Sequence, residues 1–205
     1  MDRLIVPGHV VIDDFLADEA VARLDAHIAA QEAQLREISI DFENNQYSGS
    51  RRLWQAPGGL GPCEEEFTVA VSARMGELFA ATGIKPFAPA RFEYELNALF
   101  DGAFFDQHID SDFGEAAKDR ASDRVVSAVY YFPREGAQFS GGELELYAFN
   151  SATPTVFVAP RRNRLVAFPS FANHRVARIT ASNDGLANAR LSVNCWIHKA
   201  RPGAG

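Results

Sequence analysis

His108 and Asp110 stand two residues apart in the stretch FFDQHIDSD. In extended chain, residues i and i+2 point to the same side, so an imidazole nitrogen and a carboxylate oxygen can converge on one cation. Taken alone, His-x-Asp is a short pattern that an acidic surface loop also produces. A second histidine, His174, follows the apolar run Leu165-Val166-Ala167-Phe168 and the turn Pro169-Ser170. Two histidines and one carboxylate on one face of a metal leave its remaining positions open. That arrangement suits a non-haem Fe(II) that binds a cosubstrate and dioxygen together. Asp106 and Asp112 flank the pair, either as hydrogen-bond acceptors for His108 or as solvated carboxylates. Of the other histidines, His27 falls near an apolar helical stripe, while His9 and His198 lie near the termini with no partner identifiable by spacing.

A metal of this kind draws electrons from an organic cosubstrate, and Arg190-Leu191-Ser192-Val193-Asn194-Cys195-Trp196 offers an anchor for one. Alternation puts Leu191, Val193, Cys195 and Ile197 on one face and Arg190, Ser192 and Asn194 on the other. A guanidinium beside a hydroxyl makes poor core but a good bidentate clamp on a carboxylate. The same residues on a solvated sheet face are the bland alternative. The turn signal Asn183-Asp184-Gly185 predicts that this strand pairs with the one carrying His174 as a hairpin.

The elements that must position these residues follow from periodicity. Val10–Phe15 reads as a strand and Asp18–Arg36 as a helix with Val21, Leu24, Ile28 and Leu35 on one stripe. A second helix is expected over Glu64–Ala81, with Phe67, Val71, Met75 and Leu78 inward and Gly83 as terminator. Beyond Pro86, strands are expected at Arg91–Phe100, Arg124–Phe132, Gly142–Phe149, Thr155–Val158, Arg164–Phe168, His174–Thr180 and Arg190–Ile197. Gly141-Gly142 reads as a bulge or tight turn rather than a substrate contact. The order predicts an α+β chain, a double-stranded β-helix core of jelly-roll or cupin-like type buttressed by N-terminal helices. We expect one domain over 1–205, with 1–85 buttressing and 86–200 forming the core.

Composition narrows the function. The chain has 205 residues and a formal net charge of −7, which argues against a nucleic-acid surface. No apolar run reaches transmembrane length, and the two cysteines follow no disulfide or metal spacing. We therefore expect a cytoplasmic protein with neither nucleic acid nor membrane as partner; composition leaves the oligomeric state open.

The order His108-x-Asp110, Ser140-Gly141-Gly142, His174, and Arg190 with Trp196 six later resembles the Fe(II)- and 2-oxoglutarate-dependent oxygenases, nearest their prolyl 4-hydroxylase-like branch. The segment Arg124–Tyr131 is similar to that branch's strand ending in a tyrosine that bonds the cosubstrate, with Tyr131 as the match and Tyr130 turned the other way. The resemblance implies that His108, Asp110 and His174 hold Fe(II) and are the catalytic residues. It implies that Arg190 binds the distal carboxylate of 2-oxoglutarate, with Tyr131, Ser192 and Asn97 beside it. The branch often has a tyrosine shortly before His-x-Asp, where this chain has Ala98 and Leu99. The implied reaction is hydroxylation of an unactivated C–H using O2, with release of succinate and CO2 and ascorbate as an optional reductant.

The segment Asn44–Trp54 is polar, with arginines and aromatics, and is the expected recognition element, Arg51, Arg52 and Trp54 being its candidate substrate contacts. Covering a sheet edge is its alternative role. Three function classes compete: a hydroxylase of a prolyl or other residue in a peptide or protein, a related oxygenase of a free amino acid or small metabolite, and a non-catalytic or other-metal cupin-like module. The carboxylate Asp110 together with Arg190 favours the oxygenases, and the open polar segment leans toward a peptide.

Overall fold

The computed structural model describes residues 4–38, 51–111, 120–183 and 185–202. Helix α1 spans Asp18–Ala30, with Asp18 and Glu19 in its first turn, where the helix dipole favours them. It ends six residues short of the expected Arg36. The positions that would extend the stripe past Ile28 are Gln31 and Glu32, and the chain turns there into a 3-10 turn over Glu32–Gln34. Leu35 is still buried, but between that turn and the strand that follows rather than on the helix. Helix α2, Glu64–Thr82, begins with three glutamates and stops at Gly83, whose φ of 71° is the left-handed terminator the sequence predicts.

Strands β1 (Val10–Asp13), β2 (Arg36–Ile38), β3 (Arg51–Gln55), β4 (Pro89–His108), β5 (Ser122–Tyr131), β6 (Phe139–Ser140), β7 (Leu144–Tyr147), β8 (Pro154–Val158), β9 (Arg164–Pro169), β10 (His174–Val176), β11 (Thr180–Ala181) and β12 (Arg190–Ala200) complete the described elements. All but β6 and β11 join one antiparallel sheet, along the path β1-β9-β5-β12-β4-β10-β7-β8, with β3 and β2 continuing from β4. The sheet folds on itself at β4. Its first part pairs with β12 through Leu99↔Arg190, and its last residues pair with β10 through His108↔His174. Gly102, with φ 78°, sits at the change of partner, where a left-handed residue is needed.

This is the predicted jelly-roll architecture, with two corrections. β12 and β10 do not form a hairpin. β4 lies between them and pairs with both, with β12 over its first part and with β10 at its end. The N-terminal part also does more than buttress: β1 pairs with β9 and β3 with β4, so residues before 86 extend the sheet.

Two apolar layers sandwich the larger face. Outside it, Val21, Leu24 and Ile28 of α1 and Phe67, Val71 and Leu78 of α2 pack on Leu191, Val193, Cys195 and Ile197, the half of β12 that alternation assigned to core. Tyr130 lies in this layer. Inside the fold, Tyr131, Leu144, Leu146, Val166 and Phe168 close one end of the space between the two arms of the sheet. The opposite faces of Tyr130 and Tyr131 are as predicted. Both cysteines are free and buried.

Candidate active site

Between the two arms of the sheet lies a cavity of about 310 Å³ whose walls include His108, Asp110, His174, Arg190, Ser192 and Asn97. The ladder builds it. His108 ends β4 and His174 begins β10 directly opposite, so their rings come to 4.2 Å between centroids. Asp110 follows in the turn, where its backbone N–H and that of Ser111 both donate to the Ser170 carbonyl, at 2.9 and 3.0 Å. Its Oδ1 lies 3.5 Å from His108 Nε2 and its Oδ2 3.7 Å from His174 Nε2. Ligand atoms of all three residues fall within 4.8 Å of one another, the one such His/Asp cluster among the described residues.

The tautomers are set by the backbone. His108 Nδ1 is 2.7 Å from the Asp106 carbonyl and His174 Nδ1 is 2.9 Å from the Ala172 carbonyl. A carbonyl only accepts, so each Nδ1 carries the proton and each Nε2 presents its lone pair inward. It is thus the main chain of Asp106, not its carboxylate, that orients His108; Asp112 lies outside the described residues. Burial and the neighbouring His108 push the His174 pKa down to about 4 against the pull of Asp110, which leaves it neutral and ready to ligate. Burial works to raise the Asp110 carboxyl, but His174, His108 and the Ser127 hydroxyl outweigh it and hold it well below the usual carboxylate range. Ser127 Oγ donates to Asp110 Oδ2 at 2.6 Å and lies 2.9 Å from Ser170 Oγ.

At the other end, Arg190 is 3% exposed and forms no ion pair among the described residues. Its Nε donates to the Gly142 carbonyl at 2.8 Å and its Nη1 to Ser192 Oγ at 3.3 Å. Its guanidinium lies over the Tyr131 ring at 4.7 Å. A cross-strand row, Asn97–Ser192–Tyr131, runs beside it. In that row Asn97 Oδ1 and Tyr131 Oη are buried without a hydrogen-bond partner. A buried Tyr131 hydroxyl free to donate, next to a buried guanidinium with no counter-ion among the described residues, fits a carboxylate ligand. The residues therefore fit both groups: two neutral imidazoles and a carboxylate for Fe(II), and an arginine clamp for a dicarboxylate cosubstrate.

The structure brings together every metal and cosubstrate residue expected from sequence. Gly141 and Gly142 form the expected turn, both with positive φ, and the Gly142 carbonyl is also the support for Arg190. For Arg51, Arg52 and Trp54 only the backbone is described, on β3 beside β4; their side chains, and residues Asn44–Ser50, lie outside the described residues. Alternation had already placed Asn194 on the Arg190 face; sequence reasoning missed Ser127, Ser170, Glu95 and Arg124 on or beside the cavity. Parity would have found two of them: Ser127 shares its face with Tyr131, and Glu95 with Asn97. His198 also has partners that spacing hid, Glu93 at 2.8 Å and Ser122 at 3.2 Å.

Residues 94–198 match the profile of the 2OG-Fe(II) oxygenase superfamily. An uncharacterized PKHD-type hydroxylase of Synechocystis is 27% identical over 97% of this chain, which spans 66% of that relative's length. Among solved structures, a Pseudomonas putida prolyl-4-hydroxylase aligns over 95% of this chain and 94% of its own, at a TM-score of 0.66 and 23% identity. A prolyl hydroxylase from Trichoplax adhaerens, solved with a hypoxia inducible factor peptide fragment, aligns over 93% of this chain and 83% of its own, at a TM-score of 0.67 and 18% identity.

Proposed function

This chain belongs to the 2OG-Fe(II) oxygenase superfamily, and on that premise we propose that it hydroxylates an unactivated C–H of a prolyl or other residue in a peptide or protein. The observation that carries the reading is the shared cavity, with three convergent metal ligands at one end and, at the other, Arg190 without a counter-ion among the described residues beside the Tyr131 hydroxyl, which is free to donate. When bound, the metal and 2-oxoglutarate supply the oxidation: one atom of O2 enters succinate as CO2 leaves, and the other enters the substrate.

The chain's own residues do the positioning. His108, Asp110 and His174 would hold Fe(II) through their convergent donor atoms. Arg190, with Ser192, Tyr131 and Asn97, would hold the far carboxylate of 2-oxoglutarate in the same cavity as the metal ligands. Rings of Phe105 and Phe168 flank the two histidines at 4.4 and 4.7 Å and exclude water from them. Ascorbate would serve as reductant, and the cytoplasm is the proposed location; both cysteines being free agrees with a reducing compartment. No described helix is long and apolar enough to cross a membrane.

The test is succinate release from 2-oxoglutarate by the purified protein with Fe(II), alone and with proline-containing peptides. Stimulation by a peptide, with a mass gain of one oxygen on it, supports the reading. Absence of any 2-oxoglutarate turnover by the Fe(II)-loaded protein would refute it.

A further inference from the structure

One charged wall residue has no role in that scheme. Glu95 lies on β4 opposite Asn194 of β12 and Val129 lies across from Asn194 on β5, one row along the sheet from Asn97–Ser192–Tyr131. The next row holds Trp196 and Ser127, and Ser127 is bonded to Asp110. Two residues of strand span about 7 Å, so Glu95 faces the cavity between the Arg190 end and the metal end.

Charge matching around the cavity leaves Glu95 over. Arg190 is taken by the cosubstrate's distal carboxylate in the reading above, and Asp110 by the metal. The remaining wall cation, Arg124, is bound through both its Nε and Nη2 to the Glu93 carboxylate and stacked on Trp196, with its guanidinium 3.8 Å from the ring centre. Glu95 forms no ion pair among the described residues; the charge of Arg124 is the strongest pull stabilising its carboxylate, followed by hydrogen bonds from Gln55 and Asn97, while neighbouring Glu93 opposes them. Burial raises its pKa, the sign of a carboxyl held away from water without a full counter-charge. A carboxylate so placed is stabilised by a cation that arrives with a ligand.

We propose that Glu95 receives a protonated amine of the substrate, so that the residue this protein hydroxylates is a basic side chain presented on a peptide. The inference rests on the oxygenase reading and narrows it: Arg190 selects the cosubstrate and Glu95 selects the substrate. Neighbouring Asn194 and the Gln55 amide orient the pair, and the Arg124–Glu93 couple contributes no free charge to compete for the amine.

The test uses the full chain loaded with Mn(II), which is silent in the reaction, and 2-oxoglutarate. Acetyl-Gly-Lys-Gly-amide, its norleucine counterpart and n-butylammonium are titrated by calorimetry into the wild type and Glu95→Gln. Wild type should bind the lysine peptide about tenfold or more tighter than the norleucine peptide, and Glu95→Gln should erase that preference while 2-oxoglutarate affinity stays within about twofold. A preference that survives in Glu95→Gln, no preference in the wild type, or a loss of 2-oxoglutarate affinity in the variant would each overturn the assignment. Butylammonium binding as tightly as the lysine peptide would overturn the peptide part. If 2-oxoglutarate fails to bind the wild type while the lysine preference is present and depends on Glu95, the cosubstrate reading falls and the Glu95 assignment stands.

Discussion

Replacing Asp110 by alanine removes one of three donors and should reduce Mn(II) or Fe(II) affinity by at least about a hundredfold, whereas Ser127→Ala, which only frees the carboxylate to rotate, should cost about tenfold. Metal titration of the two variants checks both values, and equal losses would mean that Ser127 does more than orient. At the other end of the cavity, Arg190→Ala should weaken 2-oxoglutarate about a hundredfold with metal affinity intact. Tyr131→Phe should weaken it about tenfold, because its hydroxyl has no other hydrogen bond to lose. Unchanged 2-oxoglutarate affinity in Arg190→Ala would remove the clamp from the site. The ligands and the clamp were readable from sequence because strand alternation fixes which neighbours share a face, whatever the strand pairs with. Glu95 and Ser127 obey the same parity but were not read, because a polar side chain on a strand looks the same whether its face meets water or a cavity. What separates them is the second arm of the sheet, which covers that face and is assembled from the later strands β7 and β10.

Elements were legible where their signals are local. α2 and its glycine stop came out within a residue at each end, since acidic first turn, apolar stripe and terminator all lie inside the segment. The pairing of β12 was not legible: a turn signal favours the sequential neighbour, while the actual partner is decided by the reach of a twenty-residue strand. Support for Arg190 comes likewise from a distant element, the turn before β7. A Cβ on Gly142 would meet Arg190 Cδ at 2.8 Å, and the φ of 74° there disfavours any side chain. Gly142→Ala should therefore raise the dissociation constant for 2-oxoglutarate by about tenfold while the metal still binds normally, which a pair of titrations on one preparation can show. A parallel loss of metal affinity would point instead to general disruption of that arm.

For the molecule as a whole, two bonded acid-sensitive groups outside the metal site, Glu93 and His198, act in one direction, while buried Glu95 acts in the other. Burial works to raise the Glu93 carboxyl, but hydrogen bonds and charge from Arg124, with His198 and Arg91 adding, leave it lowered. Burial also lowers His198, and Glu93 opposes that only in part. For Glu93 and His198 the unfolded chain binds protons more readily than the folded one, so their contribution to stability is full above pH about 6.5 and declines on acidification, first through His198 and then, below about 4.3, through Glu93. Glu93→Gln should lower the unfolding free energy at pH 7 by about 1–2 kcal/mol, with the difference from wild type shrinking as the pH falls below about 4.3. Urea titrations across that range test the sign; a variant deficit that grows toward low pH would contradict it. The facing of His108 and His174 across β4 and β10 has a practical consequence of another kind. A slip of β10 by a single residue would turn His174 out of the cavity. Metal loading thus certifies strand registration: only a chain that has threaded its sheet correctly can take the ion, and the metal-to-protein ratio of a preparation counts its properly folded molecules.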